Sequence, residues 1–398
     1  MRVHEEAAET AGCGARIGLA ALAKTAFRGG NLAPVGAELL KRAAQREDDA
    51  DALMDLSVVM QLLGHRSSGL LLQAQALGIR QVYRQGCVQG SPAARLLVIA
   101  CPGDLAENNA IEFLVEGSDI AIETLYVAPE LPVPDAIPEH DVAMVAICES
   151  ASNGPVLEHA ARMLKAWAKP VLCPAGRIAA LGRDAVSRLL DGAPGVAMPV
   201  TERVSRRALA GMGGFPRIAR PVGSHKGLGL ARLVDEAEVE AYLAGRKERE
   251  FYVAPYVDYR SVDGQFRKYR IVLIDGRPYA CHMAVSREWI VHYISAGMAE
   301  SAEKRAEEAR FFESFEEDFA ARHGEALRAV AERVGLEYFG IDCGETRDGE
   351  LLVFEVDSAM TVHSMDPPEL YPYKPAQMEK VFAEFRKMVL ARAGQYNR

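Results

Sequence analysis

The sequence predicts an α/β protein in three parts: an N-terminal helical bundle, a compact α/β domain and a longer mixed α+β region. Residues 15–84 are almost free of proline and carry Leu and Ala at helical spacing. Short apolar runs of strand type then alternate with helical patterns, and beyond about residue 178 strands and helices follow one another less regularly. We therefore divide the chain into domains at 1–90, 91–176 and 177–398.

The first part is predicted to form about four short helices. Turn-forming residues at 29–31, 46–49 and 64–65 break the helical pattern between them. Residues 51–78 loosely resemble a tetratricopeptide repeat, with Leu62-Leu63-Gly64 near the turn between two helices. Because fewer than three repeats are present, a small helical bundle is the preferred interpretation.

The second part contains apolar runs that alternate with a helical pattern at 155–168, which indicates a parallel sheet covered on both faces. The predicted strands are 96–100, 120–127, 142–147 and 171–173. Open sheets of this kind bind ligands where the strands end. The polar residues at those ends are candidate substrate contacts, with ordinary loops as the alternative: Asp104, Glu107, Asn108 and Asn153.

The third part alternates strand and helix patterns up to a last helix at 376–393. A helix is predicted at 178–190, and the acidic stretch 300–333 has helical spacing on both sides of His323-Gly324. The predicted strands are 216–220, 250–257, 268–274, 277–285, 338–343 and 351–357.

Composition narrows the class of protein. The 398 residues include 46 Lys and Arg against 55 Asp and Glu, so the net charge is −9. Such a chain has no overall attraction for nucleic acid or an anionic membrane, and neither is expected as a partner. The seven cysteines form no CxxC pair, and no apolar stretch reaches about 18 residues. We expect a cytoplasmic protein without a disulfide framework or zinc site.

A glycine-bearing loop is the first of three features that bear on chemistry. A predicted strand ends in Arg220 and leads into a loop that carries Gly223, Gly227 and Gly229. Glycines let backbone N–H groups approach phosphate oxygens, and nearby cations and hydroxyls supply charge and donors. A simple turn between strands is the alternative.

Three carboxylates near the C-terminus form the second feature. Glu355 and Asp357 alternate along one strand and so share a face, and a turn at 347–349 can bring Asp342 opposite them. Oxygen ligands of this kind favour Mg²⁺ over zinc. The alternative is a set of solvent-facing acids on an amphipathic hairpin.

The third feature is a pair of cations on one strand. Lys268 and Arg270 lie two residues apart and face the same side, before an Asp-Gly turn. Arg270 stays protonated and offers a planar fork to phosphate or carboxylate. Alternatively, both cations pair with neighbouring acids.

Taken in this order, the three features resemble the ATP-grasp superfamily of carboxylate-amine ligases, which includes D-alanine–D-alanine ligase, glutathione synthetase and the ribosomal-protein glutamate ligases. The resemblance covers about residues 93–390. It implies that the α/β domain is a pre-grasp domain and that the third part is an ATP-grasp fold of two subdomains that close on ATP.

The resemblance also implies roles for single residues. Arg220 takes the place of the family's usual phosphate-binding lysine, and Arg270 that of the arginine that steadies the transferred phosphoryl group, with Lys268 beside it. The implied nucleotide contacts are Arg220, Gly223, Ser224, His225, Lys226, Gly227 and Gly229 in the loop, and Ala254, Tyr256, Val257 and Asp258 in the adenine hinge, with Asp258 at the ribose. The implied Mg²⁺ ligands, with Mn²⁺ as an alternative ion, are Asp342, Glu355 and Asp357.

The sequence departs from the family pattern at two places. Asp357 stands where the last ligand is commonly asparagine, and Ala185 where many members carry lysine. Arg183 or Lys226 is expected to replace that missing cation.

The activity implied is ATP-dependent activation of a small-molecule or peptide carboxylate as an acyl phosphate, which an amine attacks with release of ADP and phosphate. Candidate acceptor-binding residues are Arg287, Trp289, His292, Tyr293 and His363, although a structural hydrogen bond is an alternative role for each histidine. Two other functions stay open: an ATP-binding interaction protein whose N-terminal helices recruit a protein or peptide, and a phosphotransferase. A homodimer is also compatible with the sequence.

Overall fold

The computed structural model describes residues 16–87, 90–132, 134, 136–224, 227–293 and 295–396. Within these residues the helices are α1 Leu19–Phe27, α2 Ala33–Gln45, α3 Ala50–Leu62, α4 Arg66–Ile79, α5 Ile111–Leu114, α6 Gly154–Leu164, α7 Ala175–Ile178, α8 Arg183–Leu190, α9 Arg206–Ala210, α10 Glu236–Ala244, α11 Ala302–Ser314, α12 Phe319–Arg322, α13 Gly324–Val334 and α14 Lys374–Tyr396. The strands are β1 Val82–Gln85, β2 Ala94–Ala100, β3 Ile120–Tyr126, β4 Val142–Val145, β5 Val171–Leu172, β6 Val196–Ala197, β7 Glu202–Ser205, β8 Arg217–Pro221, β9 Ala231–Leu233, β10 Glu250–Pro255, β11 Phe266–Ile274, β12 Arg277–Ser286, β13 Tyr338–Glu345 and β14 Leu351–Asp357. The α/β fold class predicted from the sequence is confirmed, and none of the described helices is long and apolar enough to cross a membrane.

The chain forms two compact units. Unit 1 contains residues 1–148, 152–178 and 358–398, and unit 2 contains 149–151 and 179–357. In unit 1 the helical N-terminal part, the α/β part and α14 therefore belong together. The three domains at 1–90, 91–176 and 177–398 remain a prediction from the sequence.

Unit 1 is built on a five-stranded sheet in the order β1-β3-β2-β4-β5. The four strands β2 to β5 pair in parallel, as their apolar runs predicted. The assignment of residues 82–84 to the helical part was wrong, because these residues begin β1, which pairs antiparallel with β3. Tyr83 explains the strand: its ring is fully buried in the cluster that includes Leu53 and Leu77.

The four predicted helices of the N-terminal part are confirmed as α1 to α4. Asp49 caps α3 by accepting a hydrogen bond from the backbone N–H of Ala52 at 2.9 Å. The carboxylate of Asp55, which is fully buried in α3, accepts the backbone N–H groups of Ile17 at 2.6 Å and Gly18 at 3.1 Å. A carboxylate from one helix thus fixes the start of another.

Helices α3 and α4 also hold the loop that follows β2. The side-chain amide of Gln73 donates to the carbonyl of Gly103 at 3.0 Å and accepts its N–H at 2.8 Å. Gln61 accepts the backbone N–H of Leu105 at 3.1 Å, and Arg66 pairs with Asp104 at 2.9 Å. The helices therefore determine the path of a loop at the carboxyl edge of the sheet.

Unit 2 contains two sheets. The first has the order β7-β10-β8-β9 and the second β12-β11-β13-β14-β6. In the second sheet β11, β12, β13 and β14 are antiparallel neighbours, and β6 adds to β14 in parallel. The predicted hairpin between β13 and β14 is present, with Gly349 at a φ of 86° in its turn. This second sheet carries both the cation pair and the carboxylates singled out from the sequence.

Candidate active site

Asp342 lies at the centre of an ion-pair cluster on the second sheet of unit 2. Arg270 on β11 lies directly across from it in the β11–β13 register and donates to both carboxylate oxygens, at 2.8 Å from Nε and 3.0 Å from Nη2. Lys268 Nζ adds a third bond at 2.8 Å. Both cations thus reach one carboxylate, whose side chain is only 6% exposed.

Two opposing effects set the pKa of Asp342. Burial alone would raise its pKa, but Arg270 and Lys268 outweigh burial and hold the pKa of Asp342 well below its usual range. Asp342 in turn raises the pKa of Arg270 although burial opposes it. Asp342 and Arg270 are therefore both charged at neutral pH.

Two more arginines lie in the same region of unit 2. Arg183, the first residue of α8, forms an ion pair with Glu355 on β14, which pairs with Asp342 in the β13–β14 register. Arg220 on β8 donates from Nε to the hydroxyl of Ser224 at 3.1 Å and also to the carbonyl of Ser224. Burial, together with the charge of Arg183, lowers the pKa of Arg220 to about 10.

The glycine loop is fixed at both ends. At its start, Ser224 is held by Arg220 and donates its hydroxyl to the carbonyl of Pro221 at 2.8 Å. At its end, Tyr242 donates to the carbonyl of Gly229 at 2.7 Å, and Arg246 stacks on the Tyr242 ring at 4.2 Å. These contacts anchor the described residues at the two ends of the loop, Ser224 and Gly229.

Gly227 contacts the imidazole of His292, which follows β12. A Cβ at Gly227, where φ is 69°, would lie 2.4 Å from Nε2 of His292, closer than side chains pack. Burial, and then Lys268, lower the pKa of His292, which favours the neutral ring. His292 is thus a described neighbour of the glycine loop, whereas the implied loop residues His225 and Lys226 lie outside the described residues.

The implied hinge residues occupy the end of β10 and the segment after it. Ala254 is buried in β10, and Tyr256 N–H donates to the carbonyl of Pro216 at 3.0 Å. Arg232 lies over the Tyr256 ring at 4.7 Å, and Trp289 meets that ring edge-on at 5.6 Å.

The other hinge residues have partners of their own in the structure. Val257 packs with the core that contains Tyr259 and Phe266. The carboxylate of Asp258 pairs with Arg347 of the β13–β14 turn at 2.7 Å. A ribose contact from Asp258 would therefore compete with an exposed ion pair, and this role stays a prediction.

The predicted metal ligands are neighbours, as expected, but they do not assemble a metal site. Asp342 pairs with Glu355 and Gly340 with Asp357 across the hairpin. Within the described residues, however, no group of three or more His, Cys, Asp or Glu side chains is placed to hold a metal ion. The physical reason is that Asp342 and Glu355 direct their oxygens to cations of the protein.

The candidate residues at the strand ends form a polar cluster within unit 1. The buried Asn153 donates to Glu107 at 2.8 Å and to the carbonyl of Cys148 at 3.1 Å. Asn108 exchanges two hydrogen bonds of 2.8 Å with the backbone of Cys101. Asn108 and Asn153 therefore shape their loops.

His363 also lies in unit 1 and has a structural environment. Its Nδ1 accepts the backbone N–H of Met365 at 3.2 Å, and its ring is tilted against the rings of Phe27 at 5.6 Å and Phe113 at 6.2 Å. The remaining acceptor candidates belong to unit 2, where Tyr293 donates to the buried Glu308 at 3.3 Å and Trp289 lies beside Tyr256.

One residue near the site was missed from the sequence. Glu149 belongs to unit 2, where burial raises the pKa of its carboxyl and the charge of Arg183 opposes that rise. The carboxylate of Glu149 lies next to Gly182: a Cβ added at Gly182 would be 3.3 Å from Oε1 of Glu149. The local sequence around residue 149 does not predict this contact, because Glu149 and Gly182 are more than 30 residues apart in the chain.

Comparisons with known proteins give structural likeness only. No protein-family model matches the chain, and no curated protein matches it. The chain is similar to a RimK-domain ATP-grasp protein from Sphaerobacter thermophilus, with 19% identity, a TM-score of 0.41, and coverage of 75% of this chain and 100% of that one.

Two further solved structures are similar over a comparable length. The VanG D-Ala:D-Ser ligase from Enterococcus faecalis has 14% identity and a TM-score of 0.46, covering 77% of this chain and 100% of that one. The D-alanyl-alanine synthetase A from Vibrio cholerae has 15% identity and a TM-score of 0.48, again covering 77% and 100%. All three TM-scores lie below 0.5, so these likenesses do not establish a function.

Proposed function

We propose that this protein is an ATP-dependent ligase of the ATP-grasp type, which activates a carboxylate as an acyl phosphate for attack by an amine. The observation that carries this proposal is the convergence of Lys268, Arg270, Arg183 and Arg220 with two carboxylates in unit 2. Phosphoryl transfer requires positioning and charge stabilisation rather than a nucleophilic side chain, and clustered cations supply both.

In the proposed reaction a carboxylate oxygen of the substrate attacks the γ-phosphorus of ATP, and the bond to the β-phosphate oxygen breaks to release ADP. The amine nitrogen then attacks the acyl carbon, phosphate leaves, and the nitrogen loses a proton to solvent. Arg220 and Arg270 hold the negative charge that gathers on the transferred group, because an arginine fork donates two parallel bonds to phosphate oxygens. Lys268 adds a point charge on the same side of β11.

A divalent ion such as Mg²⁺ or Mn²⁺ would neutralise phosphate charge when bound. The ligands that the sequence resemblance implies for this ion are Asp342, Glu355 and Asp357. Because two of these are engaged by cations in this structure, none of the steps above is assigned to the ion.

The substrates of the proposed reaction are a small-molecule or peptide carboxylate and an amine. Trp289, His292 and Tyr293 lie in the segment after β12, and His292 contacts the glycine loop. We place the acceptor amine at this segment. We propose that the N-terminal helices have a structural role within unit 1. That they recruit a protein or peptide is a separate hypothesis.

The test is release of ADP from Mg²⁺-ATP in the presence of a panel of amino acids and short peptides. We expect Arg270→Met to lower kcat about 100- to 1,000-fold, because a preorganised donor to developing charge is lost. Lys247→Met removes an exposed ammonium in the same unit and is expected to keep full activity. Circular dichroism of both variants establishes that they are folded.

The outcomes separate the three functions. Unchanged ADP release by Arg270→Met would contradict the proposal. A stable phosphorylated product from a hydroxyl acceptor would point to a phosphotransferase. Tight ATP binding with no ADP from any pair of substrates would favour the interaction protein.

A further inference from the structure

The hydrogen-bonded cluster of unit 2 carries more positive than negative charge. Asp342 bears one negative charge and is bonded to two cations, Lys268 and Arg270. Glu355 balances Arg183, while Arg220 donates to the uncharged groups of Ser224. This bonded set has two positive charges in excess and lies beside the glycine loop. The carboxyl of Glu149, which interacts with Arg183 and Asp357, lies outside the bonded set.

Asp342 acts in this arrangement as a counter-ion. Its two oxygens accept three charge-assisted bonds of 2.8 to 3.0 Å in a largely buried position. A divalent cation that took these oxygens as ligands would have to displace two protein cations and leave them close to its own charge. The cluster as it stands therefore opposes binding of a metal ion alone.

An anion meets no such obstacle. Within the described residues, Arg270 directs two of its five N–H donors to Asp342 and Lys268 directs one of three. The remaining donors of both side chains can bind phosphate oxygens while the bonds to Asp342 stay in place. Arg220 adds a third cation on β8, and a phosphate oxygen in place of Ser224 would give it a bond in which both partners are ionised.

We infer that this cluster binds the polyphosphate of a nucleotide without any divalent cation, and that it does not bind a divalent cation alone. Asp342 lowers the affinity of the cluster for the polyphosphate, because it competes with the phosphate oxygens for Lys268 and Arg270. This inference rests on the proposed function, since it concerns the same site. It differs from the ligand role implied by the sequence, in which Asp342 serves the metal.

The experiment measures binding of the non-hydrolysable analogue AMP-PNP by isothermal titration calorimetry in excess EDTA, and binding of Mn²⁺ alone by electron paramagnetic resonance. For the wild-type chain we expect AMP-PNP to bind in EDTA within about tenfold of its affinity in Mg²⁺, since protein cations already face the phosphates. We expect the Mn²⁺ signal to stay that of the free ion until nucleotide is added.

The variant Asp342→Asn distinguishes the two roles of Asp342 by the sign of its effect. It keeps the shape of the side chain and removes its charge, so AMP-PNP affinity in EDTA should rise about tenfold because the cations lose their competitor. A residue that served only as a metal ligand would leave the metal-free affinity unchanged. Metal-free affinity that stays the same or falls in Asp342→Asn overturns the inference.

Lys268→Met provides a second test that does not depend on the folding of Asp342→Asn. Lys268→Met should lower the affinity for AMP-PNP in EDTA at least about tenfold, whereas Lys247→Met should leave this affinity unchanged. Equal affinities in Lys268→Met and wild type would overturn the inference.

The remaining outcomes distinguish failure of the inference from failure of the proposed function. Nucleotide that binds only with Mg²⁺, or Mn²⁺ that binds without nucleotide, overturns the inference and leaves the ligase proposal intact. Absence of AMP-PNP binding under every condition overturns both.

Discussion

Glu345 shows at the scale of one residue how burial and charge compete. It ends β13, where its carboxylate accepts bonds from Tyr269 at 3.1 Å and from His323 at 2.8 Å and also pairs with Arg322. Burial raises its pKa, but His323 and Arg322 outweigh burial and lower the pKa of Glu345 from 4.5 to about 2. Ionised Glu345 therefore stabilises the fold.

This shift predicts an acid-sensitive contribution to stability. Because the folded pKa lies below the unfolded value, the contribution is complete above pH 4.5 and is lost as the pH falls toward 2. Its size is about 3 kcal/mol at neutral pH. We expect Glu345→Gln to lower the free energy of urea unfolding by about this amount at pH 7, and by much less near pH 2.

Glu350→Gln is the control, because Glu350 is an exposed carboxylate in the same hairpin turn. Its unfolding free energy should follow that of the wild type at every pH. An effect of Glu345→Gln that is equally large at pH 7 and pH 2 would show that the residue acts through packing and not through its charge.

Single residues of the candidate site were largely predictable from local sequence, and their partners were not. The spacing of Lys268 and Arg270 placed both on one face of a strand, and Asp342 was expected opposite Glu355, which the register confirms. Local spacing does not determine which carboxylate each cation pairs with. Arg270 and Asp342 are 72 residues apart, and only the β11–β13 register determines their pairing.

At the scale of elements, the glycine loop and the segment after β12 depend on one another through Gly227 and His292. Gly223 and Gly227 have similar φ values, 76° and 69°, so a side chain is strained at either position. Of these two glycines, a Cβ at Gly227 would also meet another residue, whereas a Cβ at Gly223 has no described neighbour within 4 Å. The two glycines therefore separate backbone strain from contact with His292.

We expect Gly223→Ala to weaken AMP-PNP binding about tenfold, since the free loop can relieve the roughly 1 to 2 kcal/mol cost of a left-handed alanine and has to regain that strain to bind nucleotide. Gly227→Ala should weaken binding further because its methyl group displaces the imidazole. The double variant Gly227→Ala, His292→Ala should return to the level of Gly223→Ala, as measured by calorimetry. Equal effects of the two single glycine variants would show that the contact with His292 has no energetic role.

Elements with a strong local pattern were predicted to within a few residues. The strands β8, β10, β11, β12, β13 and β14 lie within about three residues of their predicted bounds, because alternating apolar runs and Asp-Gly turns define them. The strand β1 was missed because its four residues follow directly after a helix and pair with β3, which begins 35 residues later. Short strands depend on partners that local pattern does not reveal.

At the scale of the whole molecule, the chain has two compact units, and every residue of the cluster around Asp342 belongs to unit 2. Unit 1 joins residues from both ends of the chain: Arg386 of α14 pairs with Asp119 at 2.5 Å. Both units bury apolar residues of their own, such as Leu56 in unit 1 and Leu273 in unit 2. Each is large enough to unfold as a cooperative body.

We therefore expect two unfolding transitions in differential scanning calorimetry. Nucleotide should raise the midpoint temperature of only one of them. A ligand at about 100 times its Kd stabilises the unit that binds it by about 2.7 kcal/mol. AMP-PNP should move the transition of unit 2, and the shift should shrink in Lys268→Met. A shift of both transitions by the same amount would contradict an assignment of the nucleotide site to unit 2 alone.

The pairing of Gln73 with Gly103 has a consequence for how such a chain can be recombined. One side-chain amide takes both backbone groups of a loop residue, as a neighbouring strand would. A chimera that replaced the helices but kept the sheet would leave both groups of Gly103 without these partners. The helices α3 and α4 and the loop after β2 therefore have to be exchanged as one piece in such a chimera.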